Sequence, residues 1–287
     1  MDIVGKRKTW FTISCVILAI GFLAMIVRGG LNLGIDFTGG ILMQIEFEED
    51  VSVSKVQEIL KSEELKDIDI GKSVVQRSDN IMLIRTRELS EDDVDKIVSV
   101  VKAEAGDLVN RGVKRIGPVV GKETFRSAAL GLLIASLLVL VYIYIRFEFQ
   151  FAVAAVLALL HDVFVILGLF ALFQFEINSP FIAAILTIVG YSINDTIVIY
   201  DRIRENLRLY KKDTIEDVVN KSISQSLRRS INTSVTTLLV VLALIVLGAP
   251  VIREFSLALF FGIVAGTYSS IFIASPLWVT WKVRKAN

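Results

Sequence analysis

Six stretches of this 287-residue chain are apolar and long enough to cross a lipid bilayer, and no other feature restricts its fold as much. A helix needs about 20 such residues to span the hydrocarbon, because every backbone polar group must be satisfied within the segment there. The runs cover approximately residues 10–27, 128–145, 151–173, 180–200, 231–247 and 255–279. Lys6, Arg7 and Lys8 precede the first run, as they would in a secretory signal. Its length and the lack of a small-x-small site before Arg28 predict a retained span instead.

Charge separates what lies in the bilayer from what lies outside it. Of the 30 Asp and Glu residues, 17 fall between Glu46 and Asp107, against 9 Lys and Arg, so this stretch is an acidic, water-facing domain. Lys and Arg resist translocation and mark cytoplasmic loops. With the N-terminus inside, the cytoplasmic segments hold 15 of them, eight between Arg202 and Arg229, while the short outer loops hold only Arg253. The predicted organisation is therefore a cytoplasmic N-terminus and first span over 1–27 and an extracytoplasmic domain over 28–127. Spans two to six follow over 128–287, with a cytoplasmic loop at 201–228 and a cytoplasmic C-terminus. The localisation expected is the inner cell membrane.

The formal net charge of +1 supplies no basic face for phosphates, which argues against nucleic acid as a partner. Cys15 is the only cysteine and His161 the only histidine, so neither a disulfide framework nor a thiolate or histidine metal site can form within one chain. There is no GxxxxGK[ST] phosphate loop, serine nucleophile elbow or HExxH motif. The chain does not read as an enzyme, and no cofactor is implied.

Within the outer domain, residues 41–47 alternate as a strand, and Ser52 can cap a helix that buries Val56, Ile59 and Leu60. Residues 69–76 and 81–86 flank Ser78, Asp79 and Asn80 as in a hairpin. Ser90 and Asp93 form a potential capping box ahead of Val94, Ile97, Val98 and Val101. A last strand is expected over 113–119. The order β-α-β-β-α-β predicts a ferredoxin-like α+β domain of roughly 80 residues.

Ionisable groups inside a bilayer are costly and call for a reason. On the fourth span Thr187, Gly190, Tyr191, Asn194, Asp195 and Val198 fall on one stripe at helical spacing. On the fifth, Arg229, Asn232, Thr233, Thr236 and Thr237 repeat the pattern, so two polar stripes face each other or a third helix. A carboxylate that alternates between pairing with an arginine and carrying a proton couples proton movement to shape change, which makes Asp195 and Arg229 the candidate pair. The plainer reading has Asp195 ending its helix near the interface and Arg229 snorkelling. His161 and Asp162 in the third span serve either as a relay or as packing groups. As sequence neighbours they point about 100° apart and cannot form a simple same-face pair. Gly262, Gly266 and Ser270 in the sixth span recur every four residues and predict close helix packing.

Several stretches read together extend this picture. Asp36-Phe37-Thr38-Gly39-Gly40 follows the first span, Gly117-Pro118-Val119-Val120-Gly121 precedes the second, and Gly190-Tyr191-Ser192-Ile193-Asn194-Asp195-Thr196 occupies the fourth. Ser226 through Thr237, SLRRSINTSVTT, opens the fifth. In this order, around six spans, the set resembles the SecF family of SecD/SecF protein-export membrane proteins over essentially the full length. Gly39-Gly40 and Gly117-Pro118 bracket the outer domain, where glycine permits turns and proline fixes φ.

The resemblance implies a membrane all-α six-helix bundle, half of an RND-type transporter core, carrying the ferredoxin-like domain. It further implies a SecD-like partner subunit, the SecYEG channel and an unfolded translocating polypeptide as partners besides membrane lipid, with work drawn from the proton gradient. The family's proton-handling aspartate and arginine fall on Asp195 and Arg229, with Tyr191, Asn194, Thr233 and Thr237 on the supporting polar face. The family's arginine-threonine is Arg229-Ser230 here. Its proton site also takes an aspartate from the SecD-like partner, so the path is incomplete in this chain alone. A proton-driven exporter of small molecules or lipids, and a channel scaffold without transport work, are the alternatives.

Overall fold

The computed structural model describes residues 2–68, 70, 73–78, 81–249 and 252–286. The chain forms two compact units, Leu33–Ser127 and the combination of Met1–Asn32 with Ala128–Asn287. Helix α1 (Arg7–Val27) opens the membrane unit. The soluble unit follows as a single helical turn α2 (Ile35–Thr38), β1 (Gly40–Phe47), α3 (Val53–Ile59), a 3-10 stretch Glu63–Ile68, β2 (Val74–Ser78), β3 (Ile81–Thr86), α4 (Glu91–Ala105) and β4 (Leu108–Ile116).

The strands pair throughout as antiparallel neighbours in the order β2-β3-β1-β4, the sheet expected of a ferredoxin-like domain. Alternation on β1 places Ile41, Met43, Ile45 and Phe47 on the helix-covered face, where they pack with Met82, Ile84, Val56, Ile97 and Val101. Ser52 accepts a hydrogen bond from the Lys55 amide, and Ser90 and Asp93 close a capping box, so both helices begin where their caps predict.

Two strand boundaries differ from the sequence reading. The last strand ends at Ile116, and Val119 lies in α5 (Pro118–Arg146) instead. Pro118 is the reason: its fixed φ suits the first turn of a helix, where the missing N–H costs nothing. The first hairpin strand is β2, which includes Ser78 paired with Ile81, while Asp69, Gly71, Lys72, Asp79 and Asn80 lie outside the described residues.

Beyond α5 come α6 (Phe149–Phe173), α7 (Ser179–Leu209), α8 (Ile215–Leu247) and α9 (Arg253–Ser269), then a π-helical stretch Ser270–Ala274 and α10 (Ser275–Ala286). Six helices among the described residues are long and apolar enough to span a membrane, the last running Arg253–Val283 through the π stretch. Small residues set the contacts. Gly21 of α1 and Gly168 of α6 meet backbone to backbone, so that a Cβ on either would lie 2.8 Å from the other's Cα. Gly262 and Gly266 of α9 press on Ile188 and Ser192 of α7, as the four-residue spacing predicts. Helix α5 presents exposed apolar side chains around its surface, including Leu133, Leu138 and Ile145.

The glycine contact carries an expected outcome. Gly168→Leu forces α1 and α6 apart and destabilises the membrane unit by about 1–3 kcal/mol, while Gly131→Leu on α5, where a side chain meets open space, is neutral. Thermal unfolding of the detergent-solubilised variants compares the two.

Candidate functional site

Helix α7 starts at Asn178, whose side chain accepts from the Phe181 amide, and α8 starts at Thr214, which accepts from the Asp217 amide. The two helices return antiparallel through the short connection 210–214 and pack along buried serines. Ser222, Ser226, Ser230 and Ser234 recur every four residues on α8 and are all buried. Asn206 of α7 donates to Ser222 Oγ at 2.8 Å and to Gln225 Oε1 at 2.9 Å. Ser234 shares a 2.6 Å hydrogen bond with Thr267 of α9.

Asp195 sits at the edge of this seam, half-buried. Ser230 Oγ donates to its Oδ1 at 2.5 Å, whereas Oδ2 is shielded from solvent and has no hydrogen-bond partner among the described residues. Arg229, one position from Ser230, is exposed, and no ion pair joins it to Asp195 among the described residues. Of the two polar stripes only the inner margins touch. Tyr191 donates from its hydroxyl to Thr237 Oγ1 at 3.3 Å, while Asn194, Thr187, Asn232, Thr233 and Thr236 are exposed. In a bilayer such a face must meet water, another protein chain or both, since lipid offers no polar partners.

A second carboxylate lies deeper. Asp162 of α6 is 1% exposed and is held from three elements. Its Oδ2 accepts from Ser192 of α7 and from Ser269 of α9, each at 2.8 Å, and its Oδ1 lies 3.1 Å from His161 Nδ1. The two neighbours do not form a same-face pair, yet the imidazole reaches the adjacent carboxylate. His161 Nε2 is buried without a hydrogen-bond partner among the described residues. One turn further along α7, Thr196 and Ser270 share a 2.9 Å hydrogen bond, and Ser270 also donates to the backbone carbonyls of Gly266 and Ser192. The π stretch begins at that point, where the extra residue re-aims the helix around this polar node.

The motif residues of the soluble unit have a structural explanation. Gly39 adopts φ +73° and Gly40 φ +118°, conformations that other residues resist. A side chain at Gly39 would lie 2.7 Å from the Pro118 Cα, and one at Gly121 would lie 2.9 Å from the Phe37 carbonyl, so the two glycine motifs close on each other. Gly117 needs neither a positive φ nor a close approach, which corrects the turn role expected for it. Asp36 is buried, and its Oδ1 accepts from Lys114 Nζ at 2.7 Å, tying α2 to β4.

Comparison with known proteins bears on this arrangement. The family model described as protein export membrane protein SecD/SecF, C-terminal, matches residues 96–284, and the SecD/SecF GG motif matches residues 24–51. The chain belongs to the SecD/SecF protein-export family. Protein translocase subunit SecF of Sebaldella termitidis is 43% identical over 279 residues, covering 96% of this chain and 90% of that protein. The corresponding subunit of Magnetococcus marinus is 40% identical over 286 residues, with coverage of 96% and 90%. The crystal structure of SecDF, a translocon-associated membrane protein from Thermus thermophilus, aligns over 99% of this chain at 36% identity and a TM-score of 0.90. A SecDF structure in a super-membrane-facing form aligns at 36% identity and a TM-score of 0.73. The chain spans 39% of the length of each SecDF chain.

Within this SecD/SecF-family chain the GG-motif match contains Asp36, Gly39 and Gly40, and the C-terminal match contains Asp162, Asp195 and Arg229. Sequence reasoning missed Ser192, Ser230 and Ser269 as partners of the two carboxylates. The four-residue serine spacing on α8 was a usable signal for Ser230. Nothing local marked Ser192 and Ser269, because a serine in an apolar helix usually bonds its own backbone.

Proposed function

We propose that this chain is the SecF-type half of a protein-translocation accessory complex in which Asp195 takes up and releases a proton. The observation that carries the reading is the divided Asp195 carboxylate: one oxygen is fixed by Ser230, and the other is shielded and free of any hydrogen-bond partner among the described residues. A proton on Oδ2 neutralises the group without disturbing the Ser230 bond, and its loss leaves a charge that the exposed polar face must compensate. Arg229 lies one residue from Ser230 and supplies the positive charge when that face is engaged.

The exposed stripe of Asn194, Asn232, Thr233 and Thr236 is the surface we assign to a SecD-like subunit. Such a subunit accounts for the 61% of the SecDF chain that has no counterpart here. In this reading the assembly acts on an unfolded polypeptide leaving the SecYEG channel, powered by the proton gradient. The concentration of Lys and Arg in alternate loops supports an inner-membrane orientation with both termini cytoplasmic and residues 28–127 outside.

Arg229→Ala tests the transport role. Because this side chain is exposed and makes no internal ion pair among the described residues, the variant folds normally, and co-purification with the partner selects the assembled complex. Gradient-stimulated export measured in inverted vesicles nevertheless falls to the unstimulated level. Full stimulation in the assembled variant would establish a scaffold role instead.

A further inference from the structure

At one end of the membrane unit, three arginines from two helices line a single open pocket of about 370 Å³, together with Asp201, Glu205 and Leu209. Arg146 is the last residue of α5, and Arg204 and Arg208 stand one turn apart on the same face of α7. The acids in the pocket already have cations. Arg146 lies 3.5 Å from Asp201, and Glu205 is held at 2.9 Å by Arg202, which is not part of the lining. Arg204 donates to the backbone carbonyl of Arg146 at 3.1 Å, a contact that leaves its charge uncompensated. Arg208 is exposed and forms no ion pair or hydrogen bond among the described residues. Two guanidinium groups therefore line the pocket without an ion pair of their own among the described residues.

The surroundings fix the depth of this pocket. Tyr144, Phe149 and Trp281 form a chain of edge-to-face contacts with centroids 6.1 and 6.2 Å apart, the aromatic belt expected where hydrocarbon meets headgroups. Immediately on the apolar side, α5 offers an unpartnered surface: Ile145 is 78% exposed, Leu138 65% and Val141 48%. A positive pocket at headgroup level, bounded by the last residue of an uncovered apolar helix, matches one amphipathic molecule. We infer that this pocket binds the phosphate of an anionic phospholipid, with its acyl chain lying along α5. The planar fork of arginine suits phosphate oxygens, and basic pockets between spanning helices at the interface are sites for anionic headgroups.

Loop arginines concentrated on one side of a membrane need no ligand, and in that case Lys211 and Lys212 would serve as well as Arg204 and Arg208. The test uses this difference. The 287-residue chain is delipidated in detergent, and retention of phosphatidylglycerol over phosphatidylcholine with the same acyl chains is measured by native mass spectrometry. Wild type retains phosphatidylglycerol preferentially. Arg204→Gln/Arg208→Gln loses that preference by about thirtyfold, Arg208→Gln alone loses part of it, and Lys211→Gln/Lys212→Gln keeps it. Arg208 is exposed and unbonded, so its variant reports binding whatever the double variant does to folding. Equal retention of the two lipids by wild type, or full preference in both arginine variants, overturns the inference. Displacement of the lipid by an equal concentration of inorganic phosphate would also overturn it, by assigning the pocket to free phosphate.

Discussion

Asp195→Asn, assembled with a SecD-like partner, leaves export running at its gradient-independent rate while the complex remains intact. Asparagine preserves the shape of the site and keeps an oxygen to accept from Ser230, so the α7 to α8 seam holds. What it cannot do is change charge. The loss therefore falls on the whole gradient-stimulated component and leaves assembly and stability untouched. Export into inverted vesicles, with and without an imposed proton gradient, measures that component, and co-purification with the partner measures assembly. Undiminished stimulation would remove Asp195 from the proton path. Its position on the exposed margin of the bundle would then be a matter of packing alone.

The second large effect is expected at Asp162 and is structural. Asp162→Leu strips the acceptor from Ser192, Ser269 and His161 at once, leaving donors from three elements facing an apolar group. Each buried donor that cannot find another acceptor costs about 1–3 kcal/mol. The hydroxyls can turn to nearby carbonyls, as Ser269 already does toward Gly266 at 3.2 Å. A net loss of about 2–4 kcal/mol is expected on that basis, seen as a lower unfolding temperature in detergent. Asp162→Asn retains an acceptor and loses less. Removing the two hydroxyl donors as well, in Asp162→Leu/Ser192→Ala/Ser269→Ala, recovers part of the stability, because only the His161 ring is then left without its acceptor. A wild-type unfolding temperature for Asp162→Leu would show that the node holds nothing together. The result also separates the two carboxylates: Asp162 changes stability, whereas Asp195 changes coupling.

The two sites differ in how far they could be read from sequence. Asp195 stands out in an apolar run, and its stripe with Tyr191 follows from helical spacing alone. Its hydrogen-bond partner did not follow. Arg229, whose charge pairing arguments favour, is exposed and acts on the carboxylate only electrostatically, while Ser230, one residue on, makes the hydrogen bond. At Asp162 the sequence supplied only an adjacent histidine, which spacing rules assign to a different direction. Its other two partners are 30 and 107 residues away.

Local and periodic signals thus fixed the six spans, the β-α-β-β-α-β order, the Ser52 and Ser90 caps and the glycine turn at Gly39. Each depends on neighbours within a few residues or on a repeat of period two or 3.6, which a chain carries in its own order. Tertiary structure alone decided which polar groups meet inside the bundle. That depends on the rotation and approach of α6, α7, α8 and α9, set in turn by small contacts such as Gly266 against Ser192. A rotation of one residue, about 100°, is enough to exchange an arginine for a serine beside a half-buried carboxylate.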